Sequence, residues 1–317
     1  MSEAPRIAIY WAVMALCAVH LGLALAVAGV PTITAAAGLR QTKRLRIFID
    51  KFGQQAATFA LLGGLWIFLI LCAALGAMWF FLPQQAPYYL TIPLPAAALG
   101  GPIVLGAAAF LCYRGLWQRL KSQKAIHGGL GFATTLLLWA GLYANLAILR
   151  PVSLRLPVPA DPLFLLPPMD SLFWRLLALA VTMSLGLAGV FTGAWLVWRR
   201  NKDDFGRDYY NFTLRLTARV GFVGQVLSLL AMAWTAWSLL PFVGELTTRL
   251  TVAASLYGLG VVGTFFSLAV VMPQDNALRH KFMLVLALVA SLVAATGLLA
   301  GLATVFLPGV LPAVTIP

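Results

Sequence analysis

Charge is scarce in this chain. Only 10% of its 317 residues are Asp, Glu, Lys or Arg, against about 25% in an ordinary soluble domain. Acids are scarcer still: there are nine, and each falls in a loop or at the end of an apolar run. Cysteine is nearly absent too. Cys17, Cys72 and Cys112 form no CxxC and no metal-ligand spacing, which leaves neither a disulfide framework nor a zinc site to read. All three fall inside apolar runs, so they are expected to be small buried hydrophobes. No GxxxxGK[ST], HExxH or GxSxG motif occurs, so nucleotide hydrolysis and hydrolase chemistry have no support.

What the chain has is apolar length. Hydrophobic residues make up 62% of it. A membrane-spanning helix needs about 20 consecutive apolar residues, and eight stretches meet that need: 7–37, 57–82, 90–113, 127–149, 172–198, 213–240, 249–272 and 280–307. The first is too long, and lacks the basic leader, for a secretory signal. Within lipid, backbone polar groups must bond inside their own segment. The expected fold is therefore an all-α polytopic membrane protein with eight transmembrane helices.

The net charge of +13 would suit a nucleic acid, but its distribution does not. Seventeen of the 22 basic residues lie in or beside the loops joining runs one to two, three to four, five to six and seven to eight. The positive-inside rule places those loops in the cytoplasm of a bacterial inner membrane and both termini in the periplasm. Anionic lipid headgroups suffice as partner for the charge, and no nucleic acid is implied. Tryptophans including Trp66, Trp117, Trp139, Trp198, Trp234 and Trp237 mostly flank run ends, as interfacial anchors do. Small-residue runs such as "GGPIVLGAAA" and "GLGVVGTFF" mark close helix packing.

The chain repeats itself. "LAVAGVPTITAAAGLR", ending at Arg40, is answered by "LGLAGVFTGAWLVWRR", ending at Arg200, at an offset of 160. Four runs per unit give both units the same orientation, a parallel repeat. The units are 1–150 and 171–317, joined by the Pro-rich stretch 151–170 on the outer side. His127 and His280 stand at matching run starts, in basic surroundings. Contact with solvent or headgroups is the plain reading of both, and a quinone ring or a haem propionate the alternative. Arg215 and Arg219 share a helix face one turn apart. They are suited to lipid phosphates by snorkelling, or to a haem propionate. His20 has no twin, since the offset lands on Ala180. It lies roughly 20 Å into its run at about 1.5 Å per residue. Ionisable groups at such depth are costly and usually functional.

This tandem layout resembles subunit I of the cytochrome bd quinol oxidases. The segments that carry the likeness are His20 in run one, "DKFGQQAATFALLGG" opening run two, "RGLWQRLKSQKAIH" before run four, "TGAWLVWRRNKDDF" closing run five and "TTRLTVAASLYGLG" opening run seven. The resemblance implies that His20 is the axial ligand of a b-type haem, since haem iron accepts a single histidine. Gly22, Ala24, Ala26, Gly63 and Gly64 would leave room for the macrocycle, and Met14 or Met78 could be a sixth ligand. It also implies an electron-transfer complex with further membrane or cytochrome subunits and a quinone. The departures are large. The family's second haem histidine falls near Arg175 or Leu176, its methionine near Thr251, and its buried glutamates near Ala98 and Gly106. Its quinol loop and ninth helix are missing. The chain is thus expected to hold one haem at most and to reduce no oxygen alone. A haem-free scaffold subunit is the alternative, followed by a small-solute transporter built from two four-helix repeats.

Overall fold

The computed structural model describes residues 3–39, 45–81, 93–120, 122–153, 166–240 and 247–306. The described residues are helical throughout their long elements and contain no strand. Eight long helices follow one another: α1 (Glu3–Leu39), α2 (Arg46–Phe81), α3 (Pro93–Gly115), α4 (Lys124–Ser153), α5 (Leu172–Arg199), α6 (Arg207–Leu239), α7 (Thr248–Val271) and α8 (Lys281–Phe306). Seven of them, all but α3, are long and apolar enough to cross a bilayer. In α3 the described apolar segment is only Gly101–Gly115. The chain is an all-α, multi-pass membrane protein.

Helix ends fall within a few residues of the apolar runs, with one exception. The run of α2 begins at 57, yet its helix begins at Arg46. The added opening, 46–56, mixes Arg46, Asp50, Lys51, Gln54 and Gln55 with apolar residues and contains no Pro, so the helix runs through it and through Gly53. A short helix, Trp117–Leu120, precedes α4, and a 3₁₀ turn, Ala277–His280, precedes α8. These two turns are 160 residues apart, the offset found in the sequence.

By contact, the chain divides into two compact units, Ala24–Ala188 and Met1–Leu23 with Gly189–Pro317. These cuts differ from the edges of the sequence repeats because they fall inside α1 and α5 rather than between helices, and α1 packs on different partners along its length. Near its start, Tyr10 Oη donates to the Ala300 carbonyl of α8. Further along, Thr32 Oγ1 donates to Thr135 Oγ1 of α4 at 2.9 Å.

Each unit is held by small residues where helices cross. In Ala24–Ala188, a Cβ on Gly29 would lie 2.2 Å from the Ser184 carbonyl oxygen. In the other unit, a Cβ on Gly189 would lie 2.4 Å from the Gly221 nitrogen, and one on Gly260 the same distance from the Ala294 nitrogen. Between membrane helices dispersion and close backbone approach replace the hydrophobic effect, and that requires small residues. Helix α7 shows the result. Gly260, Thr264 and Ser267 face protein, while Leu259, Val262 and Phe266 are 71%, 67% and 61% exposed. A soluble helix would reverse this order; in lipid the large apolar groups face outward.

The same logic corrects the cysteines. Cys17, Cys72 and Cys112 are all exposed. An apolar run does not tell a lipid-facing position from a buried one, and a thiol is tolerated in either. The small-residue expectation holds in part: Gly106 closes on Leu138, and Gly260 and Gly263 on α8, whereas Gly101 and Gly258 meet nothing within 4 Å.

Candidate functional site

The unit Ala24–Ala188 has a polar end where α1 finishes, α2 and α4 begin, and the Trp117–Leu120 helix lies across them. The indole Nε1 of Trp117 donates to Asp50 Oδ1 at 2.6 Å, a short, charge-assisted bond. Gln54 Nε2 donates to the other oxygen of Asp50 at 3.4 Å. Gly53, one turn from Asp50, makes this arrangement fit: a Cβ there would fall 2.1 Å from the Trp117 ring. Tyr113 is fully buried, and its hydroxyl lies 2.8 Å from Thr34 Oγ1. Thr34 in turn donates to the carbonyls of Val30 and Pro31. Tyr113 is therefore the donor in the pair, because a hydroxyl carries only one proton.

His127 sits on these rings. It stacks on Tyr113 with centroids 4.5 Å apart and meets Trp117 edge-on at 4.4 Å. The side chain is 9% exposed, and its Nε2 is buried without a hydrogen-bond partner. The ring is therefore not the freely solvated one expected: Tyr113 and Trp117 cover most of this imidazole. Beside it opens a cavity of about 300 Å³, with Thr34, Arg46, Asp50, Lys51, Lys124 and His127 among its lining residues.

His280, its counterpart by position, is only half-buried at the end of the 3₁₀ turn. Hydrogen bonds join that turn, and the residues just before it, to α6. Asn211 Oδ1 accepts from the Leu278 N–H at 3.0 Å, and Arg207 donates to Asn276. Arg215 pairs with Asp275 at 3.1 Å, so its first partner is a carboxylate rather than a lipid phosphate. Arg219 is exposed.

His20 lies half-buried in α1, with its Nδ1 buried and unpartnered. An axial haem position would take this imidazole through Nε2, the nitrogen away from Cβ; the orphaned one here is Nδ1, which would want an acceptor or donor of its own. The neighbours expected to leave space do not all do so. Gly22 points away from His20, two residues on at about 100° each, and is packed against Leu292 and Phe191 at 3.4 and 3.5 Å. Ala26 is fully buried. Gly64 is open, with only Val27 Cγ1 near, at 3.9 Å. Met14 lies six residues and roughly 9 Å along the same helix, so it cannot face His20 across one iron. The side chain of Met78 lies outside the described residues. No group of three His, Cys, Asp or Glu that could hold a metal ion occurs among the described residues.

Two of the tryptophans expected at interfaces are engaged inside the protein instead. Trp117 is 4% exposed, and Trp139 donates to Ser184 Oγ at 3.0 Å. Trp66, Trp198, Trp234 and Trp237 are more than half exposed. In the sequence, "DKFGQQ" and "RGLWQRLKSQKAIH" were separate motifs; nothing in either says that Asp50, Gly53, Trp117 and His127 meet. No protein-family model, no curated protein and no solved structure matches the chain.

Proposed function

We propose that the chain is an integral membrane subunit of a quinol-linked electron-transfer complex, built as two parallel four-helix repeats and holding one b-type haem at most. The observation that supports this most is His20: an imidazole deep in an apolar helix whose buried Nδ1 has no partner. Leaving such a group unsatisfied costs about 1–3 kcal/mol, so the retention of a histidine at this depth argues for a role. His20 would hold the iron, and the haem would supply one-electron transfer. The recurrence of four long helices and a short turn at an offset of 160 fits the tandem layout. The complex sits in a bacterial inner membrane with both termini periplasmic, by the distribution of basic residues. The electron partners are other membrane or cytochrome subunits.

The test is the visible spectrum and haem-to-protein ratio of the complex purified from its native membrane. A Soret band with one haem per chain is expected. A colourless chain sinks the haem-bearing form and leaves the haem-free scaffold reading, which the packing of Gly22 and Ala26 favours. Orientation is tested separately. A single cysteine at Lys202, in a cysteine-free background, should label only after the membrane is permeabilised.

A further inference from the structure

We propose that the cavity beside His127 is a binding site for the phosphate group of an anionic ligand. Three features point the same way. Three cationic side chains, Arg46, Lys51 and Lys124, line it against one carboxylate, Asp50. That carboxylate already accepts from Trp117 and Gln54. Two helices begin at its wall, α2 at Arg46 and α4 at Lys124. A helix start carries about half a positive charge and unpaired N–H groups that favour anions. His127 lines the same wall, but its Nε2 is itself buried, so the ring, held by Tyr113 and Trp117, shapes the cavity rather than donating into it.

Size and polarity narrow the ligand. A volume of about 300 Å³ stands at the lower end for small-molecule sites. It suits a phosphate with a short glycerol-sized extension rather than a nucleotide. Ala35 and Ile49 give the cavity an apolar side. A lipid headgroup and a free phosphate ester share the chemistry that this wall recognises. No step involves haem, so this site stands or falls apart from the role of His20.

The experiment is calorimetric titration of the purified full chain, in neutral detergent, with dihexanoyl phosphatidate, inorganic phosphate and dihexanoylglycerol. Saturable binding of phosphatidate is expected, with none of dihexanoylglycerol. Competition by inorganic phosphate would assign the site to free phosphate, and lack of competition to a lipid headgroup. Arg46→Gln and Lys124→Gln should each weaken binding about tenfold, the loss of one charge-assisted contact. Arg279→Gln, which removes an exposed charge outside the cavity, should leave it unchanged. All three positions are solvent-accessible, so the variants should fold; melting temperatures check this. Absence of saturable phosphatidate binding, equal binding of dihexanoylglycerol, or an equal loss in Arg279→Gln would overturn the site.

Discussion

The two halves of the chain run through the same order of elements yet finish their basic ends differently. In the second half the turn Ala277–His280 is stitched to α6 through Asn211 and Leu278, with Arg207–Asn276 and Arg215–Asp275 alongside. In the first half the equivalent turn presents an aromatic ring. Trp117 fills the space over Gly53, binds Asp50 and walls in His127 beside a cavity. At the offset of 160, Gly53 matches Thr213 and Trp117 matches Ala277, and Thr213 and Ala277 are both fully buried. Large on small has become small on medium. Both imidazoles with an unpartnered buried nitrogen, His20 and His127, belong to the first half. Two halves with the same order of elements can thus differ at their ends, one closed by hydrogen bonds between elements and the other by an aromatic ring beside a cavity.

The strongest way to break the comparison is Trp117→Ala. It removes the ring that Gly53, Tyr113 and His127 pack on and the donor to Asp50. A loss of about 3–5 kcal/mol is expected, read from thermal or denaturant unfolding in detergent. A loss under 1 kcal/mol would mean the cluster does not organise this end.

A smaller effect should come from making the second half resemble the first. Ala277→Trp alone overpacks a fully buried position and should cost about 1–3 kcal/mol. Adding Thr213→Gly should recover part of that loss. Strict additivity of the two changes would show that the positions are not paired as Gly53 and Trp117 are.

The smallest effect belongs to Arg215→Gln. Its partner Asp275 has a side chain 96% exposed, and exposed pairs contribute about 0–1 kcal/mol. A melting shift near the detection limit is expected. A large shift would mark the pair as a structural clamp of the second half.

The helices were legible because lipid demands long unbroken apolar runs, and these survive in composition alone. The start of α2 was not, since Arg46, Asp50, Lys51, Gln54 and Gln55 interrupt the apolar pattern before 57. The cysteines misled because lipid and protein core select the same residue types. His20 stood out as the lone ionisable residue of an apolar run. The His127 cavity did not, because its enclosure comes from Tyr113 and Trp117, fourteen and ten residues upstream, folded back by the short helix between them. Its polar wall comes from a third segment around Asp50. Such a meeting is tertiary, and no local pattern reports it.

The role assigned to the first half rests most on His20, and one measurement tests it directly: the haem-to-protein ratio of His20→Ala beside wild type, each purified in its native complex. The expected result is one haem per wild-type chain and a lost Soret band in the variant, with complex assembly intact. A variant that keeps the full Soret band would contradict it.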